Sequence, residues 1–284
     1  MRPVPRPDRA ARDRDPDRDG IPPWTDALAE FVGTAVLVTV ALSSAVLLTA
    51  PLSPAHHLVG PGAPVRLVIG TLSVATAAAV VYSPLGRRSG GHLNPAITIG
   101  FLGLRKFRWQ GAAAYVASQL AGAVAGAALV ALTFGRWASG IRFSASVPGR
   151  PGPAAAFAAE LVATFALASV VFHFVDRPRV MRFTPVAAAV TTVVVILVEA
   201  PVSTTSLNPA RSFGPAVLSL SFAHLWVYLL APPAGAALAA VAFSSTRGPV
   251  ACAKLVHRDD YECHFRSCSY RAAQAPGPSE GDLG

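Results

Sequence analysis

Residues Phe31–Ala50 and Gly111–Phe134 run without a single Asp, Glu, Lys or Arg. An uncharged apolar stretch of about 20 residues has the length of a helix that crosses a bilayer. In hydrocarbon its backbone polar groups have no water to bond, so each such stretch must close its own hydrogen bonds as a helix. Six segments of this kind are expected, at approximately 26–50, 65–83, 109–133, 154–175, 183–200 and 223–245. Two further apolar runs, about 94–104 and 208–220, are too short to span. Roughly ten residues make about 15 Å of helix, half a bilayer, which reads as a re-entrant half-helix shielded by protein. The whole chain is only 14% charged, against roughly 25% for soluble domains, which excludes a water-soluble fold. Its net charge of +9 could suggest nucleic acid. The basic residues instead sit between the apolar segments, so no nucleic-acid partner is expected and the bilayer is the solvent.

Outside the apolar region the composition changes. Residues 1–23 are rich in Arg, Asp and Pro and read as a disordered tail without the apolar core of a signal peptide. Residues 24–246 form the expected membrane domain and 247–284 a second tail. With both termini placed in the cytoplasm, 19 of the 24 Lys and Arg fall on that side. Arg66, Arg136, Arg142 and Arg150 fall on the other, and Arg211 stands apart. The positive-inside rule therefore places both termini in the cytoplasm. The three cysteines, Cys252, Cys263 and Cys268, all lie in the second tail and read as reduced thiols. A zinc knot of these with His257 and His264 is the alternative, but the spacing fits no CxxC pattern, so no metal site and no cofactor is expected.

The chain repeats itself. Ala29-Glu30-Phe31-Val32-Gly33-Thr34 returns as Ala159-Glu160-Leu161-Val162-Ala163-Thr164, and Leu93-Asn94-Pro95-Ala96 returns as Leu207-Asn208-Pro209-Ala210. Each repeat, about 26–133 and 154–245, holds three spans with a half-helix between the second and third. Three is odd, so the repeats enter the membrane from opposite sides, and such inverted repeats place their site near the midplane.

In each Asn-Pro-Ala the Asn is an N-cap and the Pro takes the first helical position, where its missing N–H costs nothing. Half-helices entering from opposite faces bring two positive dipole ends together. The amides of Asn94 and Asn208 then offer donors to one space. A water there turns its oxygen to both amides, and the field repels cations, hydronium included. That arrangement suits passage of neutral hydrogen-bonding molecules.

The stretches Ser89-Gly90-Gly91-His92-Leu93-Asn94-Pro95-Ala96-Ile97-Thr98 and Ser206-Leu207-Asn208-Pro209-Ala210-Arg211-Ser212-Phe213-Gly214-Pro215-Ala216 resemble the two signature loops of the aquaporin (major intrinsic protein) family. The resemblance extends over about 26–245, with Glu30, Glu160 and Gln119-Leu120-Ala121-Gly122-Ala123 at matching places. It implies an all-α, aquaporin-like fold of six transmembrane helices and two half-helices. It also implies a passive channel for water and small neutral solutes such as glycerol, urea or metalloid acids, in a homotetramer at the plasma membrane.

By the same resemblance Arg211 takes the selectivity-filter position after the second Asn-Pro-Ala. Counting back without gaps from Asn208, Ile196 falls where water-selective members resemble one another in having His, and Thr205 takes the loop position of the filter. An apolar Ile widens the constriction and removes a donor. The fourth position, in the second span, stays open among Gly70, Ser73 and Val74, because the loop Tyr82–Arg88 is long. Ser212, Ala216 and Tyr228 resemble water channels, whereas Leu229 resembles the glycerol type.

Glu30 and Glu160 read as acceptors bracing the loops, or alternatively as a proton relay. His92 reads as a loop brace, or alternatively as a residue that narrows the inner mouth or gates it with pH. His173 reads as a satisfied core histidine, and Glu199 as a solvated carboxylate near the outer end of the fifth span, or alternatively as one facing the vestibule. Glycines and serine four residues apart (Ser118, Gly122, Gly126) and the pair Gly235 and Ala239 mark close helix contacts. An ion-coupled secondary transporter is the competing class, since inverted repeats with broken helices serve both. An intramembrane hydrolase would need an oriented nucleophile that His173 lacks.

Overall fold

The computed structural model describes residues 21–258, 261 and 263–272. The first twenty residues and 273–284 lie outside that set, so the expected disorder of 1–23 falls almost wholly there. All regular structure among the described residues is helical. The six spans are Trp24–Thr49, Ala63–Tyr82, Trp109–Phe134, Pro153–Val175, Thr184–Ser203 and Leu225–Arg247, and all are long and apolar enough to cross a membrane. The chain is a multi-pass membrane protein. The half-helices run Pro95–Gly103 and Pro209–Ser219. Span bounds lie within three residues of the sequence expectation at every end, because charge and proline mark them clearly. Pro64, Pro153 and Pro185 each sit in a first turn, where the absent N–H is no loss.

The repeats pack by the same device. Span one closes on span three where Gly122 meets the backbone of Phe31. A Cβ there would lie 2.3 Å from the Phe31 carbonyl oxygen. Span four closes on span six at Gly235, whose added Cβ would lie 2.3 Å from the Leu161 carbonyl oxygen. These small-residue contacts are therefore internal to one chain. Both half-helices pack against spans three and six, while spans two and five flank the open space between the repeats. The outer faces are apolar and bare, as at Leu132, Val198 and Val241, which suits lipid rather than water.

The largest departure from the sequence reading lies after span six. The region read as a tail turns back and packs beneath the face that carries both described ends. Val250, Cys252, Ala253, Leu255, Val256, Cys263, Phe265 and Cys268 are buried in one core with Phe101, Phe107, Tyr115 and Phe172. Its backbone is tied down along its length. Leu255 N donates to Gly90 O and Arg266 N to Lys106 O, each at 3.0 Å. Ala251 N donates to Asp176 Oδ1 at 3.0 Å, and Tyr270 Oη to Val175 O at 2.9 Å. His264 Nδ1 lies 2.9 Å from Asp26 Oδ2, at the start of span one. Short apolar stretches between charges carry no helical or strand period, which is why sequence alone read a tail.

Candidate functional site

The two Asn-Pro-Ala segments meet. Asn94 Oδ1 accepts from Ala96 N at 2.9 Å, and Asn208 Oδ1 from Ala210 N at 3.0 Å, so each side-chain oxygen caps its own half-helix. Each amide nitrogen crosses to the other repeat. Asn94 Nδ2 donates to Leu207 O and Asn208 Nδ2 to Leu93 O, both at 2.9 Å. An amide nitrogen carries two hydrogens, so each keeps one for the space between the repeats. Pro95, Ala96, Pro209 and Ala210 are buried behind this junction.

The crossing depends on an unusual backbone. Leu93 and Leu207 have φ of 50° and 54°, left-handed values that cost a leucine about 1–3 kcal/mol unless the surroundings hold them. Here the surroundings do. Glu30 Oε2 accepts from Leu93 N at 2.7 Å and its Oε1 from His92 N at 3.0 Å. Ser89 Oγ and Gln119 Nε2 also donate to Glu30, each at 2.7 Å. In the second repeat Glu160 Oε2 accepts from Leu207 N at 2.7 Å and Oε1 from Ser206 N at 2.6 Å. Each left-handed leucine thus gives its N–H to its own repeat's carboxylate and receives the other repeat's amide at its carbonyl.

A cavity of about 400 Å³ runs past this junction. One wall is apolar, with Val38, Leu167, Val171 and Ala188, and the other is a polar stripe of His92, Asn94, Thr205, Ser206, Asn208 and Arg211. Gly70, Ser73 and Val74 all line it. Gly70 abuts Ile196, since a Cβ on it would lie 2.5 Å from Ile196 Cδ1. Ser73 Oγ is turned back onto Ile69 O at 2.7 Å. Arg211 is steadied by the loop between spans three and four. Its Nη1 donates to Ser146 Oγ at 2.6 Å and to Ser144 O at 3.3 Å. Ser146 Oγ in turn lies 2.6 Å from Ser212 Oγ.

At the opposite end of the cavity stands Leu255, from the C-terminal segment. His92 Nε2 bonds to Ala253 O at 2.8 Å and its Nδ1 to Thr98 Oγ1 at 3.1 Å, so this ring ties the loop to that segment as well as to the half-helix.

Two ionisable residues differ from expectation or settle into packing. Glu199 is buried and hydrogen-bonded to Ser203, not solvated. Ser203 Oγ also lies 2.6 Å from Glu160 Oε1, so one hydroxyl bridges the two acidic side chains. His173 bonds Ser169 O one turn earlier in its own helix at 2.7 Å. Sequence reasoning did not find Ser144, Ser146 or Leu255. The two serines lie in a loop without regular pattern, and Leu255 reaches the cavity only through tertiary folding.

The profile of the family described as Major intrinsic protein matches residues 19–243. Aquaporin NIP1-4 of Oryza sativa subsp. japonica is 40% identical over 174 residues, covering 61% of this chain and 62% of that protein. The match thus spans less than two thirds of the rice protein. Aquaporin NIP6-1 of Arabidopsis thaliana is 32% identical over 222 residues, 78% of this chain and 68% of that one. Among solved structures, the aquaglyceroporin from Plasmodium falciparum superimposes with a TM-score of 0.63. It is 23% identical and covers 79% of this chain and 96% of its own, a likeness of fold.

Proposed function

This chain belongs to the major intrinsic protein family, and from that premise we propose that it is a passive transmembrane channel for water and small neutral solutes such as glycerol, urea or undissociated metalloid acids. The observation that carries the reading is the crossed asparagine pair. With both Oδ1 atoms and one hydrogen of each amide engaged inside the protein, the two asparagines offer the cavity donors only. A water or hydroxyl passing Asn94 and Asn208 presents its oxygen to both, which breaks the donor–acceptor chain that a proton would need, and the two half-helix N-termini repel cations.

Gly70, Ile196, Thr205 and Arg211 form the selectivity filter, with Ser73 and Val74 further along the same span. Arg211 and Thr205 supply donors from one side, while Ile196 and the bare backbone of Gly70 supply an apolar side with room. A polyol or urea has a polar edge and an apolar face, and this split wall matches both. Glu30, Glu160 and His92 hold the loops that place the asparagines. The charge distribution supports cytoplasmic termini, and the family resemblance supports a homotetramer in the plasma membrane.

Solute entry into proteoliposomes, with and without a protonophore, tests the reading against ion-coupled transport. Entry should follow the solute gradient and be indifferent to the protonophore. Entry that collapses when the proton gradient is dissipated would contradict a passive channel.

A further inference from the structure

The C-terminal segment holds a second constellation unrelated to the pore lining. One ligand atom from each of Cys252, His257, Cys263 and Cys268 can be chosen so that all four lie within 4.8 Å of one another. Cys252 Sγ is 3.5 Å from Cys263 Sγ, and Cys268 Sγ is 3.5 Å from His257 Nε2. A tetrahedral zinc ion with Zn–S near 2.3 Å and Zn–N near 2.0 Å needs sulfurs about 3.8 Å apart and sulfur–nitrogen pairs about 3.5 Å apart. The four side chains thus already stand close to a first coordination shell. None of the cysteines is in a disulfide, and 3.5 Å is far beyond a sulfur–sulfur bond of about 2.0 Å. His264, the fifth candidate by sequence, is turned away to Asp26 and Tyr115.

Backbone donors and ammonium groups stand around the sulfurs. Lys254 N donates to Cys252 Sγ at 3.4 Å, and the Phe265 backbone N–H donates to Cys263 in the same i to i+2 relation. Such N–H donors are the usual outer support of metal-bound sulfur. Two buried lysines, Lys106 and Lys254, stand beside the cluster. Lys106 Nζ rests on Ser267 O at 2.8 Å and Lys254 Nζ on Tyr261 O at 3.3 Å. A divalent ion with three thiolates and a neutral imidazole carries one net negative charge, which these ammonium groups offset. The His257 ring packs against Tyr270, centroids 5.3 Å apart.

We propose that Cys252, His257, Cys263 and Cys268 form a tetrahedral zinc-class metal site that fixes the C-terminal segment as a cap on the channel mouth. Three sulfurs and one nitrogen select a soft or borderline ion over magnesium or calcium. The cap follows from the neighbours of the ligands. Ala253, next to Cys252, accepts from His92. Leu255 bonds Gly90 through its N–H and lines the cavity. Phe265, two residues from Cys263, stacks on the His92 ring with centroids 5.7 Å apart. From Gly248 to Ser267 the described backbone has neither helix nor strand, so a metal would add a cross-link within the segment to the bonds that tie it to the spans.

The test uses the full chain, purified in detergent under reducing conditions from zinc-supplemented cells, with metal read by plasma mass spectrometry. About one zinc per chain is expected, and exchange with Co²⁺ should give the intense visible absorption of a tetrahedral thiolate site. The double variant Cys263→Ser, Cys268→Ser should lose the metal. If that variant does not fold, a chelator titration of the wild-type protein replaces it. Zinc release should then coincide with faster hydrogen exchange in 248–272, while the spans stay protected. A reduced protein with no bound zinc and no Co²⁺ band would overturn the proposal. So would a Cys252–Cys263 disulfide in the fresh protein, full metal content in the double variant, or zinc release that leaves exchange in 248–272 unchanged. None of these readings uses a flux, so they stand or fall apart from the channel function.

Discussion

Gly70 and Ile196 face each other so closely that a Cβ on Gly70 would sit 2.5 Å from Ile196 Cδ1. The missing side chain on span two is what gives the isoleucine of span five its place at the cavity wall. Filter width in this chain therefore belongs to the pair, and changes on either side should be read together.

Gly70→Trp puts an indole into the space that Ile196 fills. Glycerol and urea permeability should fall about tenfold or more, equal to ~1.4 kcal/mol in barrier height, with water reduced less. Ile196→His adds a donor and a polar ring, and it should lower solute flux while water flux persists. Reconstituted vesicles under solute gradients measure both. Unchanged glycerol flux in both variants would move the constriction elsewhere.

Arg211→Val removes the guanidinium that Ser144 and Ser146 steady. The protein should still insert, because the helix packing does not use this side chain, and larger or charged solutes should leak. Ion conductance and solute cut-off are the readouts. Unaltered selectivity would remove Arg211 from the filter.

Glu30→Gln and Glu160→Gln each replace a carboxylate oxygen, which only accepts, with an amide that also donates. One buried backbone donor is then left facing another donor, at a cost of about 1–3 kcal/mol. Both variants should melt earlier in detergent and lose water permeability in parallel, since each holds a left-handed leucine and through it an asparagine. A variant with normal stability and normal flux would show that the bracing is dispensable.

Leu255→Ala shortens the side chain that enters the cavity from the C-terminal segment. Water permeability should rise, roughly twofold if this leucine is a second narrow point. Stopped-flow shrinkage of vesicles at equal protein density measures it. No change would place the resistance wholly at the filter and the asparagines.

Much of this architecture was legible in the sequence because its signals are local. Charge-free length marked the spans, and Asn-Pro at the head of a half-length apolar run marked the half-helices. The facing of Gly70 and Ile196 was not legible. The loop after span two folds into a short helix, Pro84–Ser89, which breaks any count along the chain. Glu199 was misread as solvated because only the fold brings Ser203 between it and Glu160. The C-terminal cap was hidden for a related reason. Its buried residues include Lys254 and are interrupted by Arg258 and Arg266, so no window is apolar, and its thiols come together only when the segment wraps under the spans.

The central claim is that crossed asparagine donors and a filter half apolar, half cationic pass neutral molecules and block protons. Stopped-flow light scattering on proteoliposomes tests it most directly, with an impermeant osmolyte and then glycerol or urea as the gradient, and an entrapped pH dye in the same vesicles. Fast water-driven shrinkage, re-swelling as solute enters and no proton leak above empty liposomes is the predicted result. Water and solute rates equal to those of empty liposomes, or dye acidification that tracks the protein, would contradict it.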